Sequence, residues 1–212
     1  MGVFILSHVL IARTGIRPAL VARFGERAYL AAYSTLSLLL LGWVIAAVVM
    51  AQRHVFWATP EWAYGFAAVV SAAGFVLIGI GAAAPNPLSV SFRREGFEPE
   101  RPGAVGWVRH PLIWGLTLWG LAHVPANGDW PSVVLFGGSA AFGAIGTQIV
   151  DRRRRREFGP HTWQRLCAGR GHIDRRALVG AACGLALWLV LLVLHPILFR
   201  ADPLAVLLAR YG

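Results

Sequence analysis

Stretches of about 18 or more apolar residues recur along this 212-residue chain, each long enough to cross a hydrocarbon core about 30 Å thick. Lipid offers no partner to a bare peptide group, so a spanning segment must satisfy its own backbone or join a closed barrel. The strand alternation of a membrane barrel is absent, which leaves helices. The expected fold is all-α, a polytopic transmembrane bundle forming a single membrane domain over residues 1–212. Composition supports this. Hydrophobic residues make up 57% of the chain and charged residues only 14%, against about 25% charged in a typical soluble domain. A soluble enzyme, a secreted disulfide scaffold and a disordered chain are thereby excluded.

About six membrane helices are predicted. Residues 1–12 form a short apolar run ending at Arg13; the basic flank follows the run and no small-residue cleavage site comes next, so it reads as a first short helix rather than a signal peptide. Full spans are expected at 29–50 and 62–84. Residues 111–125 make a short, aromatic and Gly-rich span, followed by spans at 132–150 and 177–199, the last bent or ended near Pro196. The tail, 200–212, reads as an interfacial segment. The fifth span carries Gly137, Gly138, Ser139, Ala140, Ala141, Gly143, Ala144 and Gly146. Small residues let helix backbones approach closely in lipid, and with no strand or Lys beside it this is not a nucleotide loop.

The formal charge is +10 and every basic residue is Arg. The run from Arg152 to Arg156 resembles a nucleic-acid patch, but arginines beside apolar spans report topology, and no nucleic-acid partner is expected. Loops at 13–28, 85–110 and 151–176 hold 17 of the 20 arginines. The positive-inside rule puts those loops in the cytoplasm. Trp57, Trp62 and Trp130 then form an outer aromatic belt, with Trp107 and Trp163 on the inner side. Cys167 and Cys183 fall in a polar loop and an apolar span, an arrangement that suits neither a disulfide nor a metal site.

The fourth span holds the chemistry. Pro111 suits the first helical position, so a helix begins beside Arg109 and His110 and makes an anion site for a carboxylate, a phosphate or a haem propionate. Contact with lipid headgroups is the plainer alternative. His123 lies about 20 Å further along that helix, at a depth where an ionisable group is a functional candidate. Gly120, one turn back, leaves room for a flat ring to approach the imidazole. His8 and His195 are two further histidines within apolar segments. No embedded Cys, Asp or Glu cluster accompanies them, whereas tetrahedral zinc wants three or four donors. Two axial imidazoles suffice for a haem, whose porphyrin supplies four nitrogens. Haem b is therefore the best metal hypothesis from the residues; neutral histidines hydrogen-bonded between helices are the alternative.

Several motifs together resemble the NnrU family of bacterial membrane proteins. They are His8, Arg17-Pro18, the stretch Phe24-Gly25-Glu26-Arg27-Ala28-Tyr29, and Arg109-His110-Pro111 leading to Trp119-Gly120-Leu121-Ala122-His123. Ala126-Asn127-Gly128-Asp129, Asp151 before the Arg run, and His195-Pro196 to Pro203-Leu204 complete the set. The resemblance implies an inner-membrane protein associated with denitrification, through production of active nitrite and nitric oxide reductases. The family is also similar to 15-cis-ζ-carotene isomerase, a haem b enzyme whose ligand histidines match His8 and His123. Where that enzyme has a cysteine one turn before the second histidine, this chain has Gly120. The RHP-x-x-x-G pattern, with Glu157-Phe158-Gly159 leading to Trp163, is similar to isoprenylcysteine-type membrane methyltransferases, although only one glutamate precedes the Phe-Gly element.

Three functions follow from these readings. The first is a haem-binding NnrU-type protein with His8 and His123 as axial ligands, performing redox or isomerase chemistry on a lipophilic molecule or supporting nitrogen-oxide metabolism. Arg109, His110 and Gly120 complete the expected cofactor site. The second is a methyltransferase using S-adenosylmethionine, centred on Arg109 and His110. The third is a non-enzymatic membrane assembly factor.

Overall fold

The computed structural model describes residues 2–3, 5–6, 16–93 and 95–211. Among them are seven helices: α1 (Ile16–Phe24), α2 (Glu26–Met50), α3 (Ala63–Ala83), α4 (Pro111–Ala126), α5 (Trp130–Cys167), α6 (Arg175–Phe199) and α7 (Pro203–Tyr211). A 3₁₀ turn, Gly103–Gly106, precedes α4. Four helices, α2, α3, α5 and α6, are long and apolar enough to cross a membrane. With 16 residues, α4 is only about 24 Å long, and it runs between α3 and α5. The predicted segment 1–12 lies largely outside the described residues.

The core is a set of neighbours in the order α6, α3, α4, α5. Glycines set its spacing. A Cβ on Gly74 of α3 would stand 2.8 Å from the Gly115 carbonyl of α4, and Gly79 and Gly180 meet in the same way between α3 and α6. Such close approach substitutes for the hydrophobic drive that lipid removes. Only part of the small-residue stripe in α5 is used like this: Gly143 abuts Thr117 and Ala140 abuts Gly120, while Gly137 and Gly146 meet nothing. Helix α2 touches the others little and leaves Leu38, Leu39 and Trp43 exposed, as do α5 at Ile145 and α6 at Val193 and Ile197. In water that surface would drive aggregation; in a bilayer it is the lipid-facing side.

Side chains close some of the helix ends. Asp129 accepts from the Ser132 amide at 3.1 Å and Asp174 from the Ala177 amide at 2.7 Å, which are N-caps. The last carbonyls of α4 find donors across a loop: Trp57 Nε1 reaches Pro125 O at 3.2 Å, Thr59 reaches Ala126 O at 3.0 Å, and Asn127 Nδ2 reaches His123 O at 2.9 Å. The Asn-Gly-Asp motif thus closes one helix and opens the next.

The loop expected at 151–176 is mostly helix. Helix α5 carries the arginine run onward to Cys167, because Arg is a strong helix former and Arg154 pairs with Glu157 one turn on at 2.7 Å. Gly159, at φ 73°, kinks it there, and the segment beyond brings Trp163 back, buried, beneath Arg109.

Candidate functional site

The two ends of α4 carry most of the side chains singled out by the sequence, and the fold gives them different surroundings. At the Arg-rich end, Asn86 shapes the loop after α3. Its side chain donates to the Arg109 carbonyl at 2.8 Å and accepts from the Leu88 amide at 3.0 Å. That loop sets Ser89 against His110, with Ser89 Oγ 2.8 Å from His110 Nδ1. His110 Nε2 lies 2.9 Å from Asp151 Oδ1, and Arg109 Nη1 donates to Asp151 Oδ2 at 2.7 Å. Burial pushes the His110 pKa down, opposed by the Asp151 carboxylate. The ring is therefore neutral, donating from Nε2 to Asp151 and accepting at Nδ1 from Ser89. The Arg109 guanidinium lies 5.2 Å from the centre of the Trp163 ring.

The anion that a helix N-terminus beside an Arg invites is thus Asp151 of the same chain. Ser89, His110 and Asp151 line up like a hydrolytic triad, yet Ser89 is 0% exposed and out of reach of any substrate. A polar pocket of about 70 Å³ adjoins Arg109, lined also by Cys167 and Trp107. Burial pushes the Cys167 thiol up, which keeps it protonated and a poor nucleophile.

Near the other end of α4 lies a cavity of about 520 Å³. Its walls come from α2 (Leu41, Ile45), α3 (Tyr64, Ser71, Phe75), α4 (Leu116, Trp119, His123), α6 (Trp188, Leu191, His195) and α7 (Val206, Leu207). One polar pair bridges the α3 and α6 walls, Trp188 Nε1 donating to Ser71 Oγ at 2.9 Å. His123 Nδ1 donates to the Trp119 carbonyl at 2.8 Å. That bond fixes the tautomer and leaves the Nε2 lone pair for a metal or a proton. The imidazole stacks on Phe136 at 4.7 Å and lies 5.4 Å from the Trp119 ring. Its centre is 6.5 Å from that of His195, which in turn contacts Phe199 at 4.6 Å.

Of the residues expected at one cofactor site, the fold therefore separates Arg109 and His110 from His123. His8 lies outside the described residues. Gly120 is not among the cavity-lining residues: a Cβ there would stand 2.6 Å from the Phe136 carbonyl of α5. The flat ring that Gly120 admits beside His123 is that of Phe136, brought in by the close approach of α5. The sequence marks His195 as a histidine in an apolar segment but not as part of the site, and marks Asp151 only as the start of the Arg run. Position along the spans held the clue to both. His123 and His195 each stand within about one turn of the same-side end of their helices, and Asp151 stands at the Arg-rich end with Arg109. Among the described residues no group of three or more His, Cys, Asp or Glu side chains is placed to hold a metal ion.

A model of the NnrU protein family matches residues 1–203 of the chain. No curated protein and no solved structure matches it.

Proposed function

The chain belongs to the NnrU family, and on that premise we propose that this multi-pass membrane protein holds haem b in the cavity at the far end of α4, where His123 would bind its iron. The role we assign is redox or isomerase-type chemistry on a hydrophobic substrate, or support of nitrite and nitric oxide reductase production in denitrification. The observation that carries the reading is His123 itself: Nδ1 is tied to the Trp119 carbonyl, and Nε2 has no hydrogen-bond partner among the described residues, on the wall of an apolar cavity. Its volume, about 520 Å³, falls within the roughly 300–1,000 Å³ usual for organic ligands.

The donor set fits the group. Imidazoles are common axial ligands, and a macrocycle brings the equatorial nitrogens that these walls lack. When bound, haem supplies an iron centre able to exchange one electron or to act on a bound molecule, with the protein tuning it. The chain's own residues do the rest. Trp119 and Phe136 hold the imidazole plane, the Trp119 carbonyl raises its basicity, and the apolar walls of α2, α3 and α6 exclude water. A lipophilic substrate entering from the bilayer meets the same walls.

The methyltransferase alternative has less support. The pocket beside Arg109 is about 70 Å³, too small for S-adenosylmethionine, both ring nitrogens of His110 are engaged, and Glu157 is bound to Arg154.

The test is the absorption spectrum of detergent-purified protein from haem-supplied cells, oxidised and dithionite-reduced. A Soret band with sharp reduced α and β bands is expected, lost or strongly altered in His123→Ala. Folded protein with no Soret band would overturn the reading and favour a non-enzymatic assembly role.

A further inference from the structure

Resting on the haem reading, we infer that the second axial ligand is His195 of α6 rather than His8, so that α4 and α6 grip the iron from two sides. A metal about 2 Å from one nitrogen of each of two imidazoles places the ring centres about 6 Å apart. The His123 and His195 rings stand 6.5 Å apart at an interplanar angle of 21°. Both line the same cavity.

Neighbouring groups hold both rings. His123 donates to the Trp119 carbonyl one turn back on α4. Aromatic neighbours hold each in place, Phe136 for one and Phe199 for the other. For His123, the Trp119 carbonyl is the outer support that metal-ligating histidines carry. A bare ion between them would be short of ligands, since no third His, Cys, Asp or Glu joins the pair among the described residues. Two imidazoles suit a metal that arrives with its own planar donors.

The test compares full-length purified His195→Ala, His195→Met and His8→Ala by absorption and electron paramagnetic resonance. The expected result is a low-spin signal in wild type and in His8→Ala. In His195→Ala the haem should become high-spin and return to low-spin on adding imidazole. His195→Met, which keeps an apolar side chain in place, guards against misfolding of the alanine variant; it should raise the reduction potential, as Met ligation does. A low-spin spectrum and unchanged potential in both His195 variants, with conversion in His8→Ala, would overturn the inference and leave the haem reading standing. Wild-type protein with no haem would overturn both.

Discussion

At its first turn α4 meets a polar cluster in which every ring nitrogen and carboxylate oxygen is occupied, whereas about 20 Å further along it offers a histidine with one nitrogen unspent to an apolar cavity. Both regions hold ionisable side chains that the sequence marks as candidates. What separates them is residual valence. In the cluster, Asp151 neutralises Arg109 and fixes His110, and both ring nitrogens of His110 are engaged within the chain; the cluster ties the loop after α3 to α5. At the cavity, the chain engages Nδ1 of the imidazole and leaves Nε2 without a hydrogen-bond partner among the described residues. A buried polar group whose partners are all internal is a structural device; one left half-paired beside a void is a functional candidate.

The sharpest break in this comparison is a crossed pair of substitutions. His123→Ala should abolish the normal haem spectrum with little effect on the stability of the ligand-free protein. Asp151→Ala should keep the spectrum but leave His110 and Arg109 without their acceptor. Its expected cost is about 1–3 kcal/mol, seen as a drop of several degrees in the thermal unfolding of the detergent-solubilised protein. The comparison fails if Asp151→Ala removes haem while leaving stability intact.

Gly120→Leu probes the link between the two regions. The new side chain meets the Phe136 carbonyl and pushes α5 from α4, at about 1–3 kcal/mol, and it carries the Phe136 ring away from His123. Unfolding temperature and haem band shape should change together; an altered temperature with an unchanged spectrum would show that Phe136 does not position the imidazole. Asp129→Ala removes the N-cap of α5, for about 1 kcal/mol, and should alter neither the spectrum nor the Arg-rich end.

Acidification should give the smallest effect and discriminate by region. Burial lowers the His110 pKa below its ordinary 6.5, so the unfolded chain takes up that proton first. The contribution is therefore complete above about pH 6.5 and is lost as the pH falls toward the folded-state value. Unfolding temperatures measured from pH 7.5 to 5.5 should decline in wild type and decline less in His110→Gln. Equal slopes would remove His110 as the source.

Much of this arrangement is legible in the residues. The spans at 29–50, 62–84 and 111–125 match α2, α3 and α4 to within a few positions. Pro111 opens its helix as its fixed backbone angle suggests, and His123 falls in the last turn of that helix, as counting along it predicts. The Asn-Gly-Asp motif, marked in the sequence only by the family resemblance, closes α4 and caps α5 in the structure. Other features are not local. Arg109 and Asp151 are 42 positions apart, and nothing in either neighbourhood names the other. The face of α4 that carries Gly120 was read as open and is closed by α5. The arginine run, read as loop, is a helix that leaves the apolar layer and folds back at Gly159.

The sequence by itself determined that the chain spans a membrane, where most of its helices begin and end, and which histidines lie within apolar segments. Those properties follow from the hydrocarbon core, which imposes length, apolarity and internal hydrogen bonding on each segment whatever its neighbours. Only the tertiary structure decided that His195 stands beside His123, that Asp151 closes the Arg109–His110 end, and that Gly120 belongs to a helix crossing. In lipid the apolar effect does not choose which helix faces meet. That choice falls to close contacts among small residues and to a few polar pairs, and those depend on where every other helix has come to rest.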